Sequence, residues 1–212
     1  MTRWGVVFLF VAAAVPISAR AAQSLTDAVA TPDLRPALLS IYFVLRAGVV
    51  IAFVILVLRR PPARRRSREP IAFAACAIAM LSVVALGAPR SGTATALVLA
   101  GDVVAVAACA WLLVSVLALG RCFGVLPEVR GLVMRGPYRL VRHPVYLGEI
   151  GACAGLVLAA PATWNIMILG IFVTAQAVRM RLEEKALVAE FPQYERYAAR
   201  TGRVLPRIHA LS

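Results

Sequence analysis

Apolar residues run almost unbroken along most of this chain, and polar residues gather in short clusters between the runs. The runs cover approximately residues 4–19, 38–58, 71–88, 95–119, 145–160 and 163–179. Crossing ~30 Å of hydrocarbon takes about 20 helical residues. The second and fourth runs are long enough, and the third is adequate with its flanks. The last two are short and separated only by Pro161, Ala162 and Thr163. They read as a helical hairpin that enters from one side and returns to it. No segment reads as a credible strand. The pattern predicts an all-α integral membrane protein, a bundle of about five to six transmembrane helices that includes the C-terminal hairpin. A cytosolic helical tail follows it.

Composition agrees with that class. Of 212 residues 61% are hydrophobic, with a mean hydropathy of +0.83, well above a soluble domain. The net charge of +13 is carried by arginine, with Lys185 the only lysine. Such a balance could serve nucleic acid, but the arginines cluster between apolar runs. Six lie in 59–68, five in 121–142, and six more from 179 onward. The other side has only Arg20, Arg35 and Arg90. The positive-inside rule places the three rich segments in the cytoplasm, as at a bacterial-type inner membrane. The first run has two readings, a secretory signal peptide ending near Ala19-Arg20-Ala21 or an uncleaved helix. Cys76, Cys109, Cys122 and Cys153 have no CxxC spacing and read as free thiols. With two histidines far apart in sequence, no metal site is expected.

Two charges lie within the apolar runs, Arg46 and Asp102. Counted from run starts at 38 and 95, both sit about 10–12 Å below the outer surface. An unpaired charge there is expensive, so the matched depth predicts an ion pair between them.

The densest polar cluster is "RGPYRLVRHPVYLGE", residues 135–149. Pro144 suits the first turn of a helix, which makes His143 the N-cap. Tyr146 and Glu149 follow on one face. Free N–H groups at this helix start, beside Arg139 and Arg142, would attract a carboxylate or phosphate. Gly148, Gly151 and Gly155 form a small-residue stripe that would let the return helix approach closely. A second cluster, "RMRLEEKALVAEFPQYERYAARTGRVLPRI", begins at Arg179, where the return helix leaves the membrane. Arg179 and Glu183 are spaced i,i+4, Pro192 stops the helix, and Tyr194 and Tyr197 recur on a short further one.

In this order and spacing, "GPYRLVRHPVYLGE", an apolar hairpin, "RxxxEExxL", "FPQYERYAAR" and "LPRI" resemble the isoprenylcysteine carboxyl methyltransferases. These are membrane-embedded enzymes related to phospholipid N-methyltransferases. The resemblance covers roughly 131–208, and it divides the chain into transmembrane helices at 1–120 and a methyltransferase-like region at 121–212. It implies S-adenosylmethionine as cofactor, bound by Arg142, His143, Tyr146, Leu147, Gly148, Glu183, Glu184, Tyr194, Tyr197 and Arg200. It implies Arg179, Glu183 and Tyr146 as the residues nearest the chemistry, with Pro206 and Ile208 ending the tail. Gly202-Arg203-Val204 departs from the family's Pro-Thr-Gly before the final Leu-Pro, which puts lid geometry and substrate preference in question.

That chemistry suits the residues. Methyl transfer from a sulfonium is an in-line displacement that asks for alignment and exclusion of water, without a metal or a catalytic triad. Carboxylates suit the cofactor's ammonium and ribose hydroxyls, and arginines suit its carboxylate. The implied partners are membrane lipids and a lipophilic methyl acceptor entering from the bilayer. The acceptor is a prenylcysteine-like or other hydrophobic acid, or a lipid amine. Two other functions compete. One is an NADPH-dependent membrane reductase of the sterol-reductase type, whose usual HPNY has Val145 at its third position here. The other is a non-catalytic assembly protein or small transporter, whose polar residues would sit at mid-membrane.

Overall fold

The computed structural model describes residues 3–30, 33–59, 61, 65–66, 69–87, 93–122, 124 and 128–207. Among them the six apolar runs lie in six helices, α1 Arg3–Ala30, α2 Leu34–Arg59, α3 Pro70–Val84, α4 Thr95–Leu119, α5 Pro144–Ala159 and α6 Thr163–Glu190, and the polar tail adds a seventh, α7 Tyr194–Arg200. Proline opens α3 and α5 at a position where no backbone N–H is needed. Gly120, at a positive φ of 56°, ends α4. Among the described residues three helices are long and apolar enough to cross a membrane: α2, α4 with its 3₁₀ extension to Cys122, and α6. With 15 and 16 residues, α3 and α5 span about 22–24 Å. The fold is that of an all-α membrane protein.

Successive helices from α2 onward run in alternate directions, and polar contacts tie each end. At one end Trp164 Nε1 donates to the Ala85 carbonyl at 3.0 Å. The buried Asn165 joins the α5–α6 turn to the end of α3: it donates to Ala160 O at 2.8 Å and accepts from Gly87 N at 2.9 Å. At the other end Arg65–Arg66 pairs antiparallel with Glu128–Val129. Arg121 donates to Arg59 O at 3.3 Å, Arg130 donates to Pro61 O, and Lys185 meets Glu69 at 3.6 Å. The arginine-rich connections and the tail thus gather at one end. That is the even number of passes expected between them.

The glycine stripe of α5 serves a different partner from the one its sequence suggests. A Cβ on Gly148 would lie 2.7 Å from Leu112 Cβ, one on Gly151 2.9 Å from Ala108 Cβ, and one on Gly155 2.7 Å from Gly101 O. All three neighbours belong to α4, and Gly101 in turn abuts the backbone of Gly155 and Ala159. So α4 and α5 touch backbone to backbone. The return helix α6 packs chiefly along α3 and meets α5 at a junction of Ala79, Cys153, Phe172 and Ala175. The hairpin exists in its turn, but its two legs lean on other helices.

Asp102 is also partnered differently. Its Oδ2 lies 3.4 Å from Arg35 Nε, not beside Arg46. The reason is the true start of α2, four residues earlier than its apolar run. Counted from there, Arg46 lies about 18 Å along the axis while Asp102 is about 10 Å along α4. Arg35, in the first turn, reaches inward along the helix ends. Arg46 instead lies within electrostatic range of Tyr42, Cys109 and Cys153. Asp102 is 4% exposed but Arg35 is 44% exposed, so the pair is partly screened. Arg35→Leu or Asp102→Leu alone should lower thermal stability in detergent by about 1–2 kcal/mol, below the range of a dry pair. The double variant should recover most of that loss. Strictly additive losses would show that the contact contributes nothing, and coupling of Asp102 to Arg46 would restore the first expectation.

Candidate active site

The two polar clusters, 135–149 and 179–208, meet at the arginine-rich end. Helix α5 begins there and α6 leaves the bundle there. The start of α5 is held from two sides. On one, Trp111 Nε1 of α4 donates to the Pro144 carbonyl at 3.0 Å. On the other, residues 201–203 run parallel to 141–143 as a strap, with a Val141–Gly202 bridge. Arg142 N donates to Gly202 O at 2.8 Å and His143 N to Arg203 O at 3.0 Å. Of the helix-start amides that the sequence offered to an anion, the strap takes that of the N-cap His143. Gly202 has no room for a side chain, since a Cβ would collide with the Leu205 carbonyl where the chain folds back. Tyr197 braces the arrangement, donating to Tyr138 O at 2.6 Å. Burial pushes the Tyr197 phenol up to about 12, so it stays a donor.

Below the strap the groups form two layers. Glu184 is the hub of the first. His143 Nε2 lies 3.0 Å from its Oε1, Arg203 Nε donates to the same oxygen at 3.2 Å, and Arg142 Nη1 stands 3.5 Å away. Arg203 also holds Oε2 through Nη2. The bond to Glu184 raises the Arg203 pKa, which keeps that side chain cationic. Tyr194, 2% exposed, lies beside Glu184 and Arg142. Burial first, and the Glu184 charge second, raise its phenol, so it remains protonated.

The second layer lies about one turn deeper. Tyr146 donates to Glu183 Oε2 at 3.0 Å, and the Arg179 guanidinium lies over the Tyr146 ring, 5.0 Å from its centroid. Arg179 donates to Gln176 Oε1 at 2.7 Å and stands 3.8 Å from Glu149, while Gln176 Nε2 donates to Glu149. Cys76 of α3 faces the same arginine.

Of the residues expected at the site, Arg142, His143, Tyr146, Arg179, Glu183, Glu184 and Tyr194 come together. Gly148 faces α4, and the Leu147 amide closes the first helical bond to His143 O at 3.0 Å. Tyr197 braces the tail from behind. Arg200 is exposed at the end of α7, and it is Arg203 that holds Glu184. Ile208 lies outside the described residues. Three members carried no role in the sequence reading. Arg203 sat in the stretch that departs from the family pattern, Gln176 was a lone amide within an apolar run, and Cys76 gave no signal.

The segment that runs from α4 through α6 matches a known class. A family model described as phospholipid methyltransferase matches residues 90–194, which places that segment among the membrane methyltransferases related to isoprenylcysteine carboxyl methyltransferases. Members of this family generally use S-adenosylmethionine. The match begins well before residue 131, because it takes in α4, the helix on which α5 is seated.

Part of the chain is also similar to two named bacterial proteins. The chain is 34% identical over 79 residues to the cobalt-zinc-cadmium resistance protein CzcN of Cupriavidus metallidurans, covering 36% of each chain. It is 33% identical over 81 residues to the nickel-cobalt-cadmium resistance protein NccN of Alcaligenes xylosoxydans xylosoxydans, covering 36% of this chain and 37% of that one. The shared part is little more than a third of either relative.

Proposed function

We propose that this protein transfers a methyl group from S-adenosylmethionine to a lipophilic acceptor at the cytosolic face of a membrane. One observation carries the reading. Adjacent carboxylates on α6, Glu183 and Glu184, are each met by a different residue of the His143-Pro144-Val145-Tyr146 segment, beneath a strap from the tail. The donor set fits the cofactor: carboxylates for an ammonium and ribose hydroxyls, arginines and a buried phenol for a carboxylate. When bound, the cofactor supplies a methyl group already activated on a sulfonium.

The chain's own residues then align and exclude water. Glu184 and its cationic neighbours hold the polar end, and the strap closes over it. Arg179, fixed by Gln176 and by the Tyr146 ring, presents its charge in the deeper layer, where an acceptor entering from the bilayer would arrive. A carboxylate acceptor attacks already ionised. An amine must lose a proton, and on this reading His143, Tyr146 or Glu149 assists, with Glu149 beside Arg179 and Gln176. The arginine-rich end, which holds the site, is assigned to the cytoplasm by the positive-inside rule.

Purified protein incubated with methyl-labelled S-adenosylmethionine and membrane lipid extract should transfer label to the organic phase. Alkali-labile label would indicate an ester, and stable label an amine. No transfer to any lipid fraction, with label left on the cofactor, would contradict the reading.

A further inference from the structure

Arg179 and Glu149 stand close enough to attract each other but not to bond. Arg179 Nη1 lies 3.8 Å from Glu149 Oε2, beyond hydrogen-bonding distance. Opposite charges this near in an apolar surrounding draw together strongly. Gln176 stands between them. Its Nε2 donates to Glu149 Oε2, and its Oε1 accepts from the same Arg179 Nη1 at 2.7 Å. Only this orientation of the amide bonds both neighbours, since the reverse sets oxygen against carboxylate and NH₂ against guanidinium. The side chain is fully buried, at 0% exposed, and lies three residues before Arg179 on the same face of α6. An amide in so apolar a run is costly to bury unless both its ends are used. Here both are used on one pair of charges. Glu183, the other carboxylate within electrostatic range of Arg179, is met in the same way, by the Tyr146 hydroxyl. The guanidinium itself leans on neutral groups: Gln176 Oε1, the Tyr146 ring and the Cys76 thiol.

We propose that Gln176 is a positioning residue, a neutral spacer that keeps Arg179 from closing on Glu149 and so leaves the guanidinium charge to the methyl acceptor. The inference rests on the proposed methyl transfer, in which Arg179 faces that acceptor. Without the amide, Arg179 and Glu149 close into a direct pair, and the charge that the acceptor meets is cancelled. Glu184 takes part in none of these bonds, so the cofactor's polar end is held as before.

The test uses detergent-purified Gln176→Met, which keeps the length of the side chain and removes both bonds. Label transfer from S-adenosylmethionine to membrane lipid extract should fall about tenfold or more, while calorimetric affinity for S-adenosylhomocysteine stays within about twofold of wild type. Adding Glu149→Gln removes the charge on which Arg179 closes, and should restore the lost transfer severalfold. A structure of Gln176→Met should show Arg179 and Glu149 in direct hydrogen-bonding contact. Undiminished transfer in Gln176→Met would overturn the spacer and leave Gln176 a packing residue. Losses that simply add in the double variant would overturn it too, and make Glu149 the working group. Weakened S-adenosylhomocysteine binding in Gln176→Met would place Gln176 with the cofactor instead. Wild-type protein that transfers no label would overturn the proposed function. The spacer would then be decided by the Arg179–Glu149 distance in Gln176→Met, where a gap still open would overturn it.

Discussion

Gly155→Val should destabilise the protein by about 3 kcal/mol or more, the upper end of what overpacking costs. Gly155 sits where α5 crosses α4, and an added Cβ would meet the Gly101 carbonyl at 2.7 Å and the Ala105 Cα at 2.9 Å. Backbone atoms on both sides cannot step aside as a flexible side chain would. The helices would have to part, and the seating of the α5 start on Trp111 would go with them. Gly170→Ala is the matched control, because a Cβ there meets nothing within 4 Å. It should be neutral or stabilise the helix slightly. Thermal unfolding in detergent checks both. A Gly155→Val protein as stable as wild type would mean that α4 and α5 do not approach so closely.

Glu184→Gln should be the most damaging single change at the site. It removes the only carboxylate that Arg142, His143 and Arg203 share among the described contacts. Losing a charge-assisted hydrogen bond to the cofactor should weaken binding by some 10- to 150-fold. The fold should survive, because the strap is held by backbone bonds and Arg203 is partly exposed. Glu183→Gln should do less to binding, since an amide oxygen can still accept from Tyr146. Titration of S-adenosylmethionine into the two variants measures the difference. Equal and small losses would show that the cofactor does not use the Glu184 corner.

Much of the bundle was visible in the sequence because apolar length is a strong signal in a membrane protein. The runs 95–119 and 145–160 match α4 and α5 to within a residue. The errors lie where amphipathic or polar residues extend a helix beyond its apolar part. Leu34, Arg35 and Pro36 begin α2, and overlooking them exchanged Arg35 for Arg46 as the partner of Asp102. The site was legible wherever a motif carried it, as with His143, Tyr146, Glu183 and Glu184. It was not legible where a residue's role depends on tertiary approach. Gly148 and Gly155 announced close packing but not the identity of the partner helix. Arg203 looked like a disruption of the tail and is the residue that closes it on Glu184. Gln176 was hidden by its apolar neighbours, although a fully buried amide must find partners for both its ends.

Glu184, His143 and the strap together are the proposed site for S-adenosylmethionine. Calorimetric titration of the detergent-purified protein with S-adenosylmethionine and, separately, with NADPH tests it most directly. Saturable one-site binding of S-adenosylmethionine, no heat with NADPH, and loss of the signal in Glu184→Gln are the expected results. Saturable NADPH binding with no response to S-adenosylmethionine would contradict it and favour a membrane reductase.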